Sequence, residues 1–191
     1  MKYLGNVVNA FKVLSGTYLK EGMTVLDATC GNGNDSLYLK KLIGTRGVLY
    51  AVDIQEDAIS ATRRLFEEHG FVEDEALKLV LGSHDDLSFL EISDRLLDLA
   101  VYNLGFLPKG NKQITTEYDT TLKSLEQVLN YLKSGGLVFV LCYVGHDSGK
   151  LEAEHLGRFL TTLDQKFFDV ARFEFVNQKN DPPLMWIVEK K

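Results

Sequence analysis

The stretch MTVLDATCGNGNDSLYLKKLIGTRGVLYAVDI, residues 23–54, decides the fold. Met23 to Ala28 is a short apolar run of strand length. It runs into Gly31-Asn32-Gly33, where two glycines let the backbone turn sharply and approach a ligand closely. The spacing predicts a helix over Asp35–Ile43, stopped by Gly44, and a second strand over Gly47–Ile54. A strand, a glycine turn, a helix and a strand form one βαβ unit, and its crossover makes the two strands parallel.

The alternation continues on both sides. Val7, Phe11, Leu14 and Tyr18 fall at helical spacing and predict an amphipathic helix over about 4–20. Glu56–His69 carries Ala58, Ile59, Thr62, Leu65 and Phe66 on one face and is closed by Gly70. Further strands are predicted at 76–81, 96–103 and 137–143, and further helices at 116–133 and 150–163. Segments 168–176 and 184–189 have no helix between them and pair as an antiparallel hairpin. The expected architecture is a single Rossmann-like α/β domain over residues 1–191, with the helix of residues 1–20 packed on it. Its seven-stranded sheet is mostly parallel, with an antiparallel last strand and helices on both faces. Ligands in such sheets sit outside the carboxyl ends of the strands, near the topological switch point. That points to the loops after Ala28, Asp53, Leu81, Asn103 and Tyr143.

Composition limits the function classes. The chain has 191 residues, 45% hydrophobic and 25% charged, as a globular protein does. Its two cysteines exclude a disulfide framework and suit a reducing compartment. The apolar run Leu137–Val144 is too short to span a membrane, and Asn6, Asn9 and Lys12 interrupt any secretory signal. The expectation is a cytoplasmic protein with no membrane partner. The net charge of −6 means that any polyanionic partner is met by a local patch.

Asp53 ends the second strand 20 residues after Gly33, where a carboxylate accepts hydrogen bonds from ribose hydroxyls. The third glycine of a dinucleotide fingerprint is missing. A pyrophosphate wants donors at the helix N-terminus, but Asp27 and Asp35 flank this turn. Two carboxylates suit the ammonium and sulfonium of S-adenosyl-L-methionine (SAM) better than NAD. The plainer reading is that Asp35 is a helix cap and the glycines are an ordinary tight turn.

With these residues the sequence resembles the class I SAM-dependent methyltransferases. Asn103-Leu104-Gly105-Phe106-Leu107-Pro108, Lys112 with Thr115, Thr120-Thr121-Leu122, Tyr143-x-Gly145-His146 and Asn180-x-Pro182-Pro183-Leu184 resemble one bacterial family long labelled "putative rRNA methylase". That family includes the tRNA 5-(aminomethyl)-2-thiouridine methyltransferase. Asp147-Ser148 departs from its pattern. The resemblance implies methyl transfer from SAM to the aminomethyl nitrogen of a tRNA wobble uridine, with the tRNA anticodon stem-loop as partner. It implies a cofactor site of Asp27, Gly31, Asn32, Gly33, Asn34, Asp35, Asp53, Gln55, Ser83, His84 and Asn103. Catalysis is expected from Asn103, Tyr143 and His146. Asn103 accepts from the target NH₂, Tyr143 orients the amine, and His146 holds or accepts a proton.

Each residue also has a plainer reading. Ser83 and His84 fit an ordinary polar turn, Asn103 a strand cap, Phe106 a core residue, and His146 a solvated loop residue. Phe106 is otherwise placed to stack on a base, and Lys109 and Lys112 to meet RNA phosphates, with Lys123, Lys40, Lys41 and Arg46 as further candidates. Asn180-Asp181-Pro182-Pro183 reads as a rigid turn that lines the substrate mouth. No metal-ligand spacing appears, and Glu152, Glu154 and His155 read as a charged face, so no metal is expected. Competing functions are methylation of rRNA or a small molecule, a nucleotide-dependent oxidoreductase, and a SAM-binding protein without turnover. A homodimer is compatible with the sequence.

Overall fold

The computed structural model describes residues 4–90, 96–105 and 118–191. Its elements are α1 (Val7–Tyr18), β1 (Thr24–Asp27), α2 (Asn34–Ile43), β2 (Val48–Asp53), α3 (Glu56–Glu68) and β3 (Leu77–Leu81). These are followed by β4 (Leu97–Leu104), α4 (Tyr118–Tyr131), β5 (Leu132–Cys142), α5 (Asp147–Thr161), β6 (Phe168–Phe173) and β7 (Leu184–Lys190). The seven strands form one sheet in the order β3-β2-β1-β4-β5-β7-β6. Strands β1 to β5 are parallel. β7 inserts antiparallel between β5 and β6, as the helix-free connection predicts. The order reverses between β1 and β4, so the loops that leave these two strands diverge and open a crevice.

The sheet is apolar on both faces. Val25, Leu49, Leu99, Val101 and Phe139 pack with residues of α1, α2 and α3. Leu26, Tyr50, Ala100, Tyr102 and Val138 pack with residues of α4 and α5. Successive strand residues point to opposite faces, and both faces are covered, hence the unbroken apolar runs. The Phe11 ring meets Phe139 edge-on at 5.2 Å, which anchors α1 over the centre of the sheet.

Two elements, β5 and α5, start well before the expected residue. β5 begins at Leu132, five residues early, because Leu132 pairs with Leu97 before an irregularity in the ladder. Gly135, at φ +78, carries the chain through it. α5 begins at Asp147, because His146 caps it.

Lys40 is corrected as a phosphate candidate. It is 3% exposed, and its ammonium donates to the carbonyls of Gly47 at 2.8 Å and Ala76 at 2.9 Å. It ties α2 to the strands beside it, and burial lowers its pKa. Arg46 pairs with Glu21 and Lys123 with Asp85. At the opposite end of the sheet, Asp98 accepts from the Thr24 N–H at 2.7 Å and from Lys133 at 2.7 and 2.8 Å, which joins the starts of β1, β4 and β5.

Candidate active site

The loop after β1 is built from backbone hydrogen bonds. The Cys30 N–H donates to Val52 and the Gly33 N–H to Cys30. Asp53 receives the Gly31 N–H on one oxygen and the Gln55 N–H on the other, each at 2.9 Å. Each carboxylate oxygen keeps a further lone pair for a ligand hydroxyl. Gln55 precedes α3 without using its side chain as a cap. Gly33 has φ +77, and a Cβ there would come within 2.8 Å of Thr62 Oγ1 and 2.9 Å of its Cγ2. The same Thr62 hydroxyl donates to the Gly31 carbonyl at 2.9 Å. Gly33 is therefore required by handedness and by the close approach of α3. Asn32 and Asn34 stand exposed on the rim.

Asp27 lies inside the loop. It is 2% exposed. Ser36 Oγ donates to one oxygen at 2.5 Å and the Thr29 N–H to the other at 3.2 Å. Burial pushes the carboxyl up to about 7; Ser36 opposes this, and Asp35 and Asp53 add to it. Both oxygens have partners within the loop, and Asp27 holds its shape.

The crevice brings Asp35, Asn103 and Tyr143 together. The Asn103 N–H donates to Thr29 Oγ1 at 2.7 Å, which fixes the end of β4 against the loop. Asn103 Nδ2 donates to Asp35 Oδ2 at 3.3 Å. Its side chain also hydrogen-bonds Tyr143, which opposes the rise in the phenol's pKa caused by burial and then by Asp35. Asn103 Oδ1 is buried and has no partner among the described residues. Gly105, at φ +146, turns the chain beside the Tyr143 ring.

His146 does not stand as an open base. Its Nδ1 accepts from the Gly149 N–H at 3.0 Å and lies 2.9 Å from Ser148 Oγ. Two donors on Nδ1 assign the proton of the neutral ring to Nε2. Protonating Nδ1 would break the helix cap. A Cβ on Gly149 would lie 2.2 Å from the Tyr143 carbonyl, so the glycine permits this tight turn. His146 thus caps α5 beside Tyr143.

The loop after β3 closes the other side. The Gly82 N–H donates to the Asp53 carbonyl at 3.0 Å. The Ser83 side chain hydrogen-bonds Asp85, which Lys123 also holds. His84 is buried, bonded to the Ala28 carbonyl, and lowered in pKa mainly by burial. Its Nε2 is buried with no partner among the described residues. Sequence reasoning missed Ile54 and Leu81, which are 61% and 55% exposed at the carboxyl ends of neighbouring strands. An apolar residue directly after the strand-ending Asp53 was the available signal.

Phe106, Lys109 and Lys112 lie outside the described residues. The Asn180–Pro183 turn stands at the site end of the sheet, because Cys142 pairs with Leu184. Asn180 and Asp181 adopt φ of 66° and 49°, and Asp181 pairs with Lys150 at 2.7 Å. Glu152 accepts from Thr121, Glu154 pairs with Arg158, and the His155 ring meets Tyr118 edge-on, so these three do not converge. No helix among the described residues is long and apolar enough to cross a membrane.

The donor set fits a cationic nucleoside cofactor: a carboxylate at ribose position, exposed apolar groups on adjacent strand ends, and acidic residues around the turn. This crevice and sheet order are those of a class I methyltransferase. The chain belongs to the family described as "Putative rRNA methylase", whose model matches residues 49–189. It is 36% identical over 179 residues to the chloroplastic tRNA (mnm(5)s(2)U34)-methyltransferase of Arabidopsis thaliana, covering 91% of this chain. The chain spans 65% of that relative's length. Among solved structures it resembles a "putative rRNA-methylase" from Clostridium thermocellum, with TM-score 0.92 and 34% identity over 98% of this chain and 99% of the other. It also resembles a "putative methyltransferase" from Streptococcus mutans in complex with SAH, with TM-score 0.84 and 29% identity over 96% and 97% of the two chains.

Proposed function

We propose that this protein is a SAM-dependent N-methyltransferase acting on the aminomethyl group of the wobble uridine, 5-aminomethyl-2-thiouridine, in a tRNA anticodon stem-loop. The observation that carries the reading is the buried Asn103 Oδ1, without a partner among the described residues, beside Tyr143 and the Gly31–Asp53 loop. The similarity to the plant wobble-uridine methyltransferase and to the SAH complex supports it. Bound SAM would supply an electrophilic methyl group on a sulfonium. Asp53 would accept from the ribose, with Gly31, Asn32, Gly33, Asn34 and Gln55 around it. Ile54 and Leu81 would cover the adenine, with Ser83 and His84 at its edge. Asn103 Oδ1 would accept an N–H of the neutral amine and aim its lone pair at the methyl carbon. Such positioning supplies much of the rate in an in-line displacement. Tyr143 would fix the amine's direction, and the proton released after transfer would leave to solvent. Phe106 would stack on the base, and Lys109 and Lys112 would meet phosphates.

Single-turnover methylation of a stem-loop carrying 5-aminomethyl-2-thiouridine tests the reading. The expected product is one methyl group on the aminomethyl nitrogen, and loss of turnover in Asn103→Ala with SAM affinity kept within a few-fold. Methylation of rRNA or of a small amine, with the stem-loop left unmodified, would overturn it.

A further inference from the structure

The N-terminal helix carries one residue that reaches the site without belonging to the loops around it. Lys12 of α1 places its ammonium 2.9 Å from Asp35 Oδ1. The other oxygen of Asp35 receives Asn103 Nδ2 at 3.3 Å. Lys12 is held at both ends: Tyr38 donates its hydroxyl to the Lys12 carbonyl at 2.5 Å, and the ammonium lies 5.3 Å from the centre of the Tyr38 ring. Gly16 lets this contact form, since a Cβ there would lie 2.6 Å from the Tyr38 hydroxyl oxygen.

A primary amide has two ends that differ only in what they hydrogen-bond. Facing Asp35, the Asn103 side chain must present its NH₂, because an ionised carboxylate only accepts. Its carbonyl is thereby turned to the opposite side, where it has no partner among the described residues. Lys12 occupies one oxygen of Asp35 and fixes which oxygen remains for Asn103. From this geometry we infer that Lys12 and Asp35 are positioning residues, a relay from α1 that sets the flip of the Asn103 amide so that its carbonyl faces the acceptor amine. The inference rests on the proposed role of Asn103. It moves Asp35 from cofactor contact to orienting group.

The test uses the full chain and the aminomethylated anticodon stem-loop, with SAM saturating. Lys12→Met and Asp35→Asn should slow single-turnover methylation by roughly 10- to 100-fold, with SAM affinity within a few-fold and melting temperature close to wild type. Lys12→Arg should restore most of the rate. Lys12→Met should have no further effect in an Asn103→Ala background, because the relay acts only through that amide. In the protein alone, the Asn103 side-chain NH₂ resonances should shift in Lys12→Met and return in Lys12→Arg. Wild-type rates in both Lys12→Met and Asp35→Asn, beside an inactive Asn103→Ala, overturn the inference and leave the reading of the site standing. Asp35→Asn that loses SAM affinity but reacts normally at saturation makes Asp35 a cofactor contact and also overturns it. Asn103→Ala reacting at the wild-type rate removes both the reading and the inference.

Discussion

The Gly31 N–H donates to Asp53 Oδ2 at 2.9 Å, so the turn after β1 and the acid that ends β2 form one unit. In the proposed reading Asp53 both builds this loop and accepts from the cofactor ribose. Asp53→Ala removes a charge-assisted acceptor for the ribose, and should weaken SAM and SAH binding by about 1.5–3 kcal/mol. Asp53→Asn keeps an acceptor oxygen and should fall between the two. Titration calorimetry with SAM, SAH and NAD checks this. Wild-type SAM affinity in the alanine variant, or comparable NAD binding, would remove the cofactor assignment.

Asp27 gives the fold a pH dependence of known sign. Its carboxyl titrates at about 7 in the fold, raised from the ordinary carboxylate range chiefly by burial. Between about 4 and 7 the folded chain thus holds a proton that the unfolded chain has released. This contribution to stability is full below about pH 4 and is lost as pH rises through 7. Asp27→Asn keeps a partner for Ser36 and cannot ionise. Melting curves from pH 4 to 8 should show wild type losing ground to the variant as pH rises. Each kcal/mol corresponds to roughly 2–4 °C in a chain of this size. Parallel curves would show that Asp27 does not titrate in this window.

Lys40 illustrates what sequence leaves out. Its two acceptors, Gly47 and Ala76, lie in separate segments that only the folded sheet brings together. Lys40→Met should destabilise the chain by about 1.5–3 kcal/mol through the two carbonyls left without it. It should leave the salt dependence of stem-loop binding unchanged. A variant that melts like wild type but binds the stem-loop with a flatter salt dependence would return Lys40 to the RNA-facing surface.

The fold was legible because its signals are local. The apolar runs at 24–27, 48–53 and 97–104 sit between glycine turns and periodic helices, and that alternation admits few sheets. Gly31, Gly33 and Asp53 were legible for the same reason, since all lie within one βαβ unit. The parts that were missed depend on distant partners. Lys12, Asp35 and Asn103 are far apart in sequence: α2 and the end of β4 bring Asp35 to Asn103, and the packing of α1 brings Lys12 to Asp35. The early start of β5 was hidden by Gly135-Gly136, which reads as a turn and is a kink within a paired strand.

His146 shows the same limit at a single residue. Caps are recognised as Ser, Thr, Asp or Asn, so the contact of His146 Nδ1 with the Gly149 N–H was not legible in the sequence. His146→Asn supplies an equivalent acceptor without an imidazole. It should keep the melting temperature and react within a few-fold of wild type. His146→Ala should cost about 1 kcal/mol of stability and loosen the turn that holds Tyr143. Both variants should show a rate that rises with pH, because only the deprotonated substrate amine has a lone pair to attack the methyl group. Single-turnover rates across pH 6–9 separate the cases. If His146→Asn folds normally but loses two or more orders of magnitude in rate, the scale of a removed acid–base group, the imidazole itself takes part in proton transfer and the cap is secondary.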